Sequence, residues 1–254
     1  MIEIEKYSIP HTVSMHEDWF EIADENHFWM QWRWAKIKQL KKLFLKDKSH
    51  LLEIGCGNGI VVNQIESETN CIVDGCDLNE AAMQISKPSK GKKFLYNIYD
   101  KNPHFINKYD GIILLDVLEH ITNPVDFLSV SNLSGKDNSF IIINVPAYQW
   151  LYSNYDLYVG HIKRYNKKDM EKLMHDSNIE IIKIQYWGAL LIPIALLRKI
   201  LISNKKEDVI KSGFKPPSKI ADLFLRVLMK IELALPFSLP FGTSLIAIGR
   251  IKQK

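Results

Sequence analysis

The chain has 254 residues, 46% of them hydrophobic and 24% charged, with a formal net charge of +4. Those proportions describe an ordinary globular chain, one domain with elaborations, and so modest and dispersed a charge argues against a dedicated nucleic-acid surface. Cys56, Cys71 and Cys76 have no zinc-ligand spacing, and their odd number fits reduced thiols in a cytoplasmic setting. Met1–Lys6 has neither a basic nor an apolar leader region, so no signal peptide is read. The longest apolar run, Ala189–Leu197, falls well short of the roughly 20 residues that span a bilayer.

Residues 1–48 read as an N-terminal helical cap. From Trp19 to Leu45 apolar residues recur at helical spacing, with Trp29, Trp32 and Trp34 as packing residues and Lys36, Lys38, Lys41 and Lys42 toward the end. A Rossmann-like core follows over 49–186. It opens on Leu51–Ile60, an apolar strand that ends in Glu53 and turns through Gly55, Cys56, Gly57, Asn58 and Gly59 into a helix. Glycine at alternate positions lets the backbone take positive φ and lets a ligand approach closely, while the helix start offers free N–H groups. The spacing is G-x-G-x-G, not the G-x-G-x-x-G of nicotinamide binders.

Ile60–Glu66 is the expected crossover helix, and Cys71–Leu78 a second strand that ends in an acid. In a doubly wound sheet a carboxylate at that strand end accepts the ribose hydroxyls of a nucleotide. Asp77 is the candidate; Asp74 competes but falls mid-strand. Lys93–Asn97 reads as strand three. Tyr109–Ile121 is a continuous apolar strand whose end carries Asp116, Glu119 and His120, where ligands of open α/β sheets bind. Ser139–Val145, closed by Pro146, is strand five. The loop beyond it interleaves aromatic, polar and basic residues up to Gly160–Tyr165, as a substrate-facing loop does. A helix from Asn166 to about Ser177 and a strand at Ile179–Tyr186 complete the core. Residues 187–242 form a helical insertion: an apolar stretch at Ala189–Ile202, a polar linker at Asn204–Lys219 and a helical stretch at Ile220–Leu235. The last strand, Ser244–Ile251 within 243–254, is expected to pair antiparallel with the sixth.

Glu53–Gly59 resembles motif I, and Asp110–His120 motif IV, of the class I S-adenosylmethionine-dependent methyltransferases; the likeness covers about 19–186 and 236–252. The resemblance implies a doubly wound α/β fold: a seven-stranded, mostly parallel sheet with helices on both faces. It also implies a cofactor site at Glu53, Gly55, Cys56, Gly57, Gly59, Asp77, Leu78 (against adenine), Asn97, Ile98 and Asp116. Asn97-Ile98 departs from the family, which often carries an aspartate there. His27–Arg33 is similar to a lead-in of relatives that methylate ubiquinone precursors, in which an arginine meets the cofactor's methionine carboxylate; Arg33 is placed for it.

For Glu119, His120 and His161 three readings stand open. A histidine acts as general base, its ordinary pKa of about 6.5 suiting neutral pH. Alternatively Asp116, Glu119, His120 and His161 hold a divalent metal, as the resemblance to ubiquinone and small-RNA 2′-O-methyltransferases implies. Or the tripeptide only shapes the pocket. The reading is methyl transfer to oxygen of a small-molecule, glycan or lipid-linked acceptor. RNA 2′-O-methylation and a non-catalytic S-adenosylmethionine-binding module are the alternatives. The apolar run at 189–202 is a lid over the core; with Arg198, Lys199, Lys205 and Lys206 it is otherwise a peripheral contact with the inner face of a membrane.

Overall fold

The computed structural model describes residues 2–10, 25–201 and 218–253. Trp19–Asp24, the end of the stretch expected to run to Ile202, and most of the linker with Lys205 and Lys206 lie outside them. A single mixed sheet runs through the molecule. Its strands are β1 (Ile4–Lys6), β2 (His50–Ile54), β3 (Ile72–Asp77), β4 (Lys93–Leu95), β5 (Tyr109–Leu115), β6 (Gly135–Pro146), β7 (Ile179–Trp187) and β8 (Ser244–Ile251). Their order is β1-β4-β3-β2-β5-β6-β8-β7, all parallel except β8, which inserts antiparallel between β6 and β7.

The sheet thus has eight strands where seven were expected, and the N-terminal segment is not wholly helical. Ile-Glu-Ile-Glu alternates with the period of a strand, and Ile4–Lys6 pairs with the open edge of the three-residue β4. Lys92 Nζ, 2.7 Å from Glu5 Oε1, and Tyr7, edge-on to Phe94 and Phe105, fasten it there. Strand β4 also stops two residues early. The Asn97 side chain accepts from Tyr99 N at 3.1 Å and turns the chain into a short 3-10 helix.

Side-chain alternation divides the core into two layers. Leu52, Ile54, Ile112, Leu114, Ile141 and Ile143 face one side, with α4 (Pro124–Asn132) and α6 (Lys167–Asp176) packed on them. Leu51, Ile113, Leu115, Ile142, Ile246 and Ile248 face the other, under α1 (Phe28–Leu40), α2 (Ile60–Glu68) and α8 (Lys219–Ala234). The remaining helices are α3 (Glu80–Gln84), α5 (Asn154–Tyr158) and α7 (Ile192–Leu201). Trp32 and Trp34 are buried, and the Trp32 ring lies 6.3 Å from that of Trp187, so α1 is pinned to the sheet by its indoles. Helix α6 begins with a capping box in which Asn166 and Asp169 each accept the other's backbone N–H, at 3.0 and 2.9 Å.

Mid-sheet packing leaves no room for growth at Gly111, where an added Cβ would stand 2.2 Å from the Phe140 ring. Gly111→Ala is therefore expected to lose about 1–3 kcal/mol of stability through overpacking, read as a lower midpoint in thermal unfolding.

Candidate functional site

The carboxyl ends of β2, β3 and β5 lie side by side, because Ile54 registers with Cys76 and Glu53 with both Gly75 and Ile113. The turn after β2 can be made only with left-handed residues: φ is 77° at Gly55, 49° at Gly57 and 72° at Gly59, which caps α2. Gly57 N donates to Asp77 Oδ2 at 2.7 Å, and Asn79 N donates to Oδ1 at 2.9 Å. Burial pushes the Asp77 carboxyl up, and those backbone N–H groups pull against it. Asp77 lines the wall of the cavity. Asp74 is engaged elsewhere: it accepts from Tyr109 Oη at 3.0 Å and Lys92 N at 2.9 Å and meets His50 Nε2 at 2.9 Å. It is not on that wall.

Glu53 is buried beneath the turn, its Oε2 without a hydrogen-bond partner among the described residues. Burial drives its carboxyl up to about 7, against the opposing pull of Lys93 and Arg33. Cys56 also lines the cavity, and burial holds its thiol well above the usual range. Leu78, Asn97 and Ile98 form the wall beyond Asp77, together with Tyr96. The Asn97 side chain is occupied by its own turn.

Asp116 follows β5 in the left-handed region, φ 60°, a strained position for a residue with a side chain. Three groups hold it there. Its backbone N–H donates to Asn144 O at 2.9 Å, Asn144 Nδ2 donates to its Oδ1 at 2.7 Å, and Arg33 pairs with its Oδ2. Asn144 Oδ1 in turn accepts from Trp187 Nε1 at 2.8 Å. Arg33 lies 5.0 Å over the Trp29 ring, and its Nε has no partner among the described residues. Arg33 therefore reaches the cavity wall already bound to a carboxylate of the chain.

Glu119, His120 and His161 come together on the far side of the same cavity, with potential ligand atoms all within 4.8 Å of one another. Asp116 stays out of this trio, its oxygens turned to Arg33 and Asn144. Glu119 is buried with neither oxygen hydrogen-bonded among the described residues. Burial, reinforced by Asp116, pushes its carboxyl well above the usual range. Burial and the nearby charge of His161 bring His120 down to about 4, although its Nδ1 faces Gly160 O at 3.1 Å. His161 Nδ1 sits 2.8 Å from Asp156 Oδ1, leaving Nε2 at 3.8 Å from Glu119 Oε1.

Asp156 is fully buried and clamped by Arg164, whose Nε and Nη2 donate to its two oxygens at 2.8 and 3.1 Å. Burial alone would raise the Asp156 carboxyl, but His161 and Arg164 outweigh it and hold it at about 2. Three residues here have contacts that the sequence reading did not assign: Asp156, Asn144 and Arg198 of α7, the last read only as part of a basic cluster. The guanidinium of Arg198 stands 4.2 Å over the Tyr155 ring on the cavity wall, with no ion-pair partner among the described residues. Only Asn144, a polar residue inside Phe140–Val145, carried a signal that could have found it. The cavity lined by Glu53, Asp77, Asp116, Glu119, His161 and Arg198 has a volume of about 690 Å³.

A family described as a methyltransferase domain matches residues 23–184. Comparison with curated proteins found no match. Among solved structures, the chain is similar to an S-adenosylmethionine-dependent methyltransferase from Archaeoglobus fulgidus (TM-score 0.57, 15% identity, covering 87% of this chain and 93% of that one). It is also similar to phosphoethanolamine N-methyltransferase 2 from Haemonchus contortus in complex with S-adenosyl-L-methionine (0.56, 16%, 89% and 53%) and to the [4+2]-cyclase SpnF (0.59, 11%, 96% and 99%). At these identities the likeness is one of fold.

The residues fit the methyl donor on two observations. Asp77 offers a carboxylate on the cavity wall to the paired hydroxyls of a ribose, and the orphaned Glu53 oxygen offers a counter-charge for a cation. Asp77→Ala is expected to weaken binding of S-adenosylmethionine by about 1–3 kcal/mol in calorimetry, while Asp74→Ala lowers the melting temperature and leaves affinity alone. Equal effects on affinity would contradict the assignment. Because that domain family spans more than half of the sequence and both motifs, the chain belongs to it and is a class I S-adenosylmethionine-dependent methyltransferase.

Proposed function

We propose that the chain methylates a hydroxyl oxygen of an acidic, partly apolar small molecule, with a glycan or a lipid-linked compound as the acceptor class. The reading is carried by the bond between His161 Nδ1 and Asp156. A carboxylate held at about 2 accepts the Nδ1 proton and leaves Nε2 as the basic atom toward the cavity. S-adenosylmethionine supplies a methyl group already electrophilic on its sulfonium. The chain's part is to bring the hydroxyl into line and to remove its proton at His161 Nε2. Arg198 offers positive charge to an acidic acceptor, and Leu191, Ile194 and Ala195 of the same segment offer apolar surface.

A second reading, a divalent cation on Glu119, His120 and His161, is favoured by the two orphaned Glu119 oxygens. Such a mixed oxygen and nitrogen set suits a cation that lowers the acceptor's pKa. His161→Asn is expected to cost about 10²–10⁴-fold in turnover under either reading. Added chelator separates them: undiminished turnover leaves the histidine as base, and loss restored by Mg²⁺ or Mn²⁺ assigns the cation. An RNA acceptor would instead show oligonucleotide affinity that falls steeply with salt.

Glu53 gives an independent check on the donor side. Its folded pKa of about 7 lies above the ordinary 4.5, so at pH near 6 the free protein holds a proton there. A cationic ligand beside it pulls that pKa down. Donor binding is therefore expected to release up to about one proton near pH 6, and almost none near pH 4 or pH 9. The release is read by calorimetry in buffers of different ionisation enthalpy, and Glu53→Gln should abolish it.

A further inference from the structure

Helix α8 has two apolar faces, and only one is used. Leu225 is buried, and Leu228, Met229 and Leu233 pack on the core that holds Trp32 and Trp187. Glu232 anchors that side, accepting from Gly188 N at 2.7 Å and Leu190 N at 3.2 Å. On the opposite side Ile220, Leu223, Phe224, Val227 and Ile231 are between 44% and 84% exposed. At about 100° per residue these five fall in one strip about 100° wide, which continuous water would not favour. Leu197 and Ile200 of the neighbouring α7 are exposed as well.

The charges around the strip have one sign. Lys219 and Lys230 are exposed and fall at its border, about 20–40° from Leu223. The two acids of α8 point elsewhere: Asp222 is held by Arg226 Nε at 2.6 Å, and Glu232 is buried. None of the five strip residues lines the cavity; Leu225, on the buried side of α8, does, with Ile194, Ala195 and Arg198 of α7.

We infer that the exposed strip of α8, with Leu197 and Ile200 of α7, seats the chain on a lipid bilayer bearing anionic headgroups. Apolar side chains enter the headgroup boundary while lysines at the border stay at the level of the phosphates. A second copy of the chain fits less well, since it would bring the same lysines against themselves. Helix α8 lies along the surface: no helix among the described residues is long and apolar enough to cross a membrane. The inference shifts the contact expected at 189–202 mainly onto α8. It deepens the reading of a partly apolar acceptor, because such a molecule would reside in the bilayer on which the chain sits.

The test is flotation of the full chain with phosphatidylcholine vesicles, with and without phosphatidylglycerol, and no methyl transfer enters the readout. The chain is expected to float with the phosphatidylglycerol vesicles and to be released by salt. Leu223→Glu with Phe224→Glu should cut partitioning at least about tenfold. Neither residue lines the cavity, so affinity for S-adenosylmethionine and the melting temperature should not change. Absence of flotation, or flotation of the double variant equal to the parent's, overturns the inference. So does light scattering that shows a dimer of the parent, dissolved by the double variant, without vesicle binding. Loss of S-adenosylmethionine affinity in the parent chain would strike the catalytic reading instead and leave the docking result standing.

Discussion

The grip on Asp116 ties the molecule together. Its backbone takes a left-handed turn that costs on the order of 1 kcal/mol or more for a non-glycine residue, so its surroundings must hold it. Arg33 comes from helix α1, Asn144 from β6 and, through Asn144, Trp187 from β7. One carboxylate thereby connects the N-terminal helix with β6 and β7, on one side of β5. The same contact neutralises a guanidinium and a carboxylate at the floor of a low-dielectric cavity, where either alone would be strongly disfavoured. The turn after β2 then closes against this floor, because Gly55 leaves space that the Val117 side chain occupies, 2.6 Å from where a Cβ would stand.

The sheet was largely legible because its signals are local. The continuous apolar runs of β2, β5 and β6 need only neighbouring residues to be read, and Gly55, Gly57 and Gly59 announce a turn that their positive φ values require. Asp77 was separable from Asp74 by position along the strand, and the hydrogen bond from Gly57 shows why position matters. Arg33 was legible as a site residue but not as the partner of Asp116, 83 positions away. A spacing argument sees the ligand an arginine could take and misses the carboxylate that reaches it first. Asp156 was hidden for a different reason. It lies in the five-residue helix α5, too short to show a period, and only the folded chain brings it under His161 and into the fork of Arg164. The edge strand β1 was masked by its brevity: three residues carry almost no periodicity until β4 supplies the hydrogen bonds.

Buried polar atoms are normally hydrogen-bonded, and leaving one unpaired costs about 1–3 kcal/mol. Among the described residues an oxygen of Glu53 and both oxygens of Glu119, two residues that line the cavity, are left so, alongside orphaned atoms elsewhere such as those of Gln64 and Asn132. Each of the two carboxyls is driven upward by burial. A cation arriving beside either would favour its charged form. Asp116, by contrast, is fully paired with Arg33 and Asn144.

The donor and acceptor ends of the site are built differently. The donor end is built from backbone: glycine φ values, a strand-end acid and N–H groups at a helix start, all set by the sheet's topology. The acceptor end is built from side chains on a loop and on the α7–α8 insertion, which share no hydrogen-bond ladder with the sheet. Substitutions on α7 or α8 can reshape the acceptor wall without disturbing the ladder that fixes the glycine turn. On this insertion Arg198, Leu191, Ile194 and Ala195 line the cavity, whereas the exposed strip of α8 lies outside it.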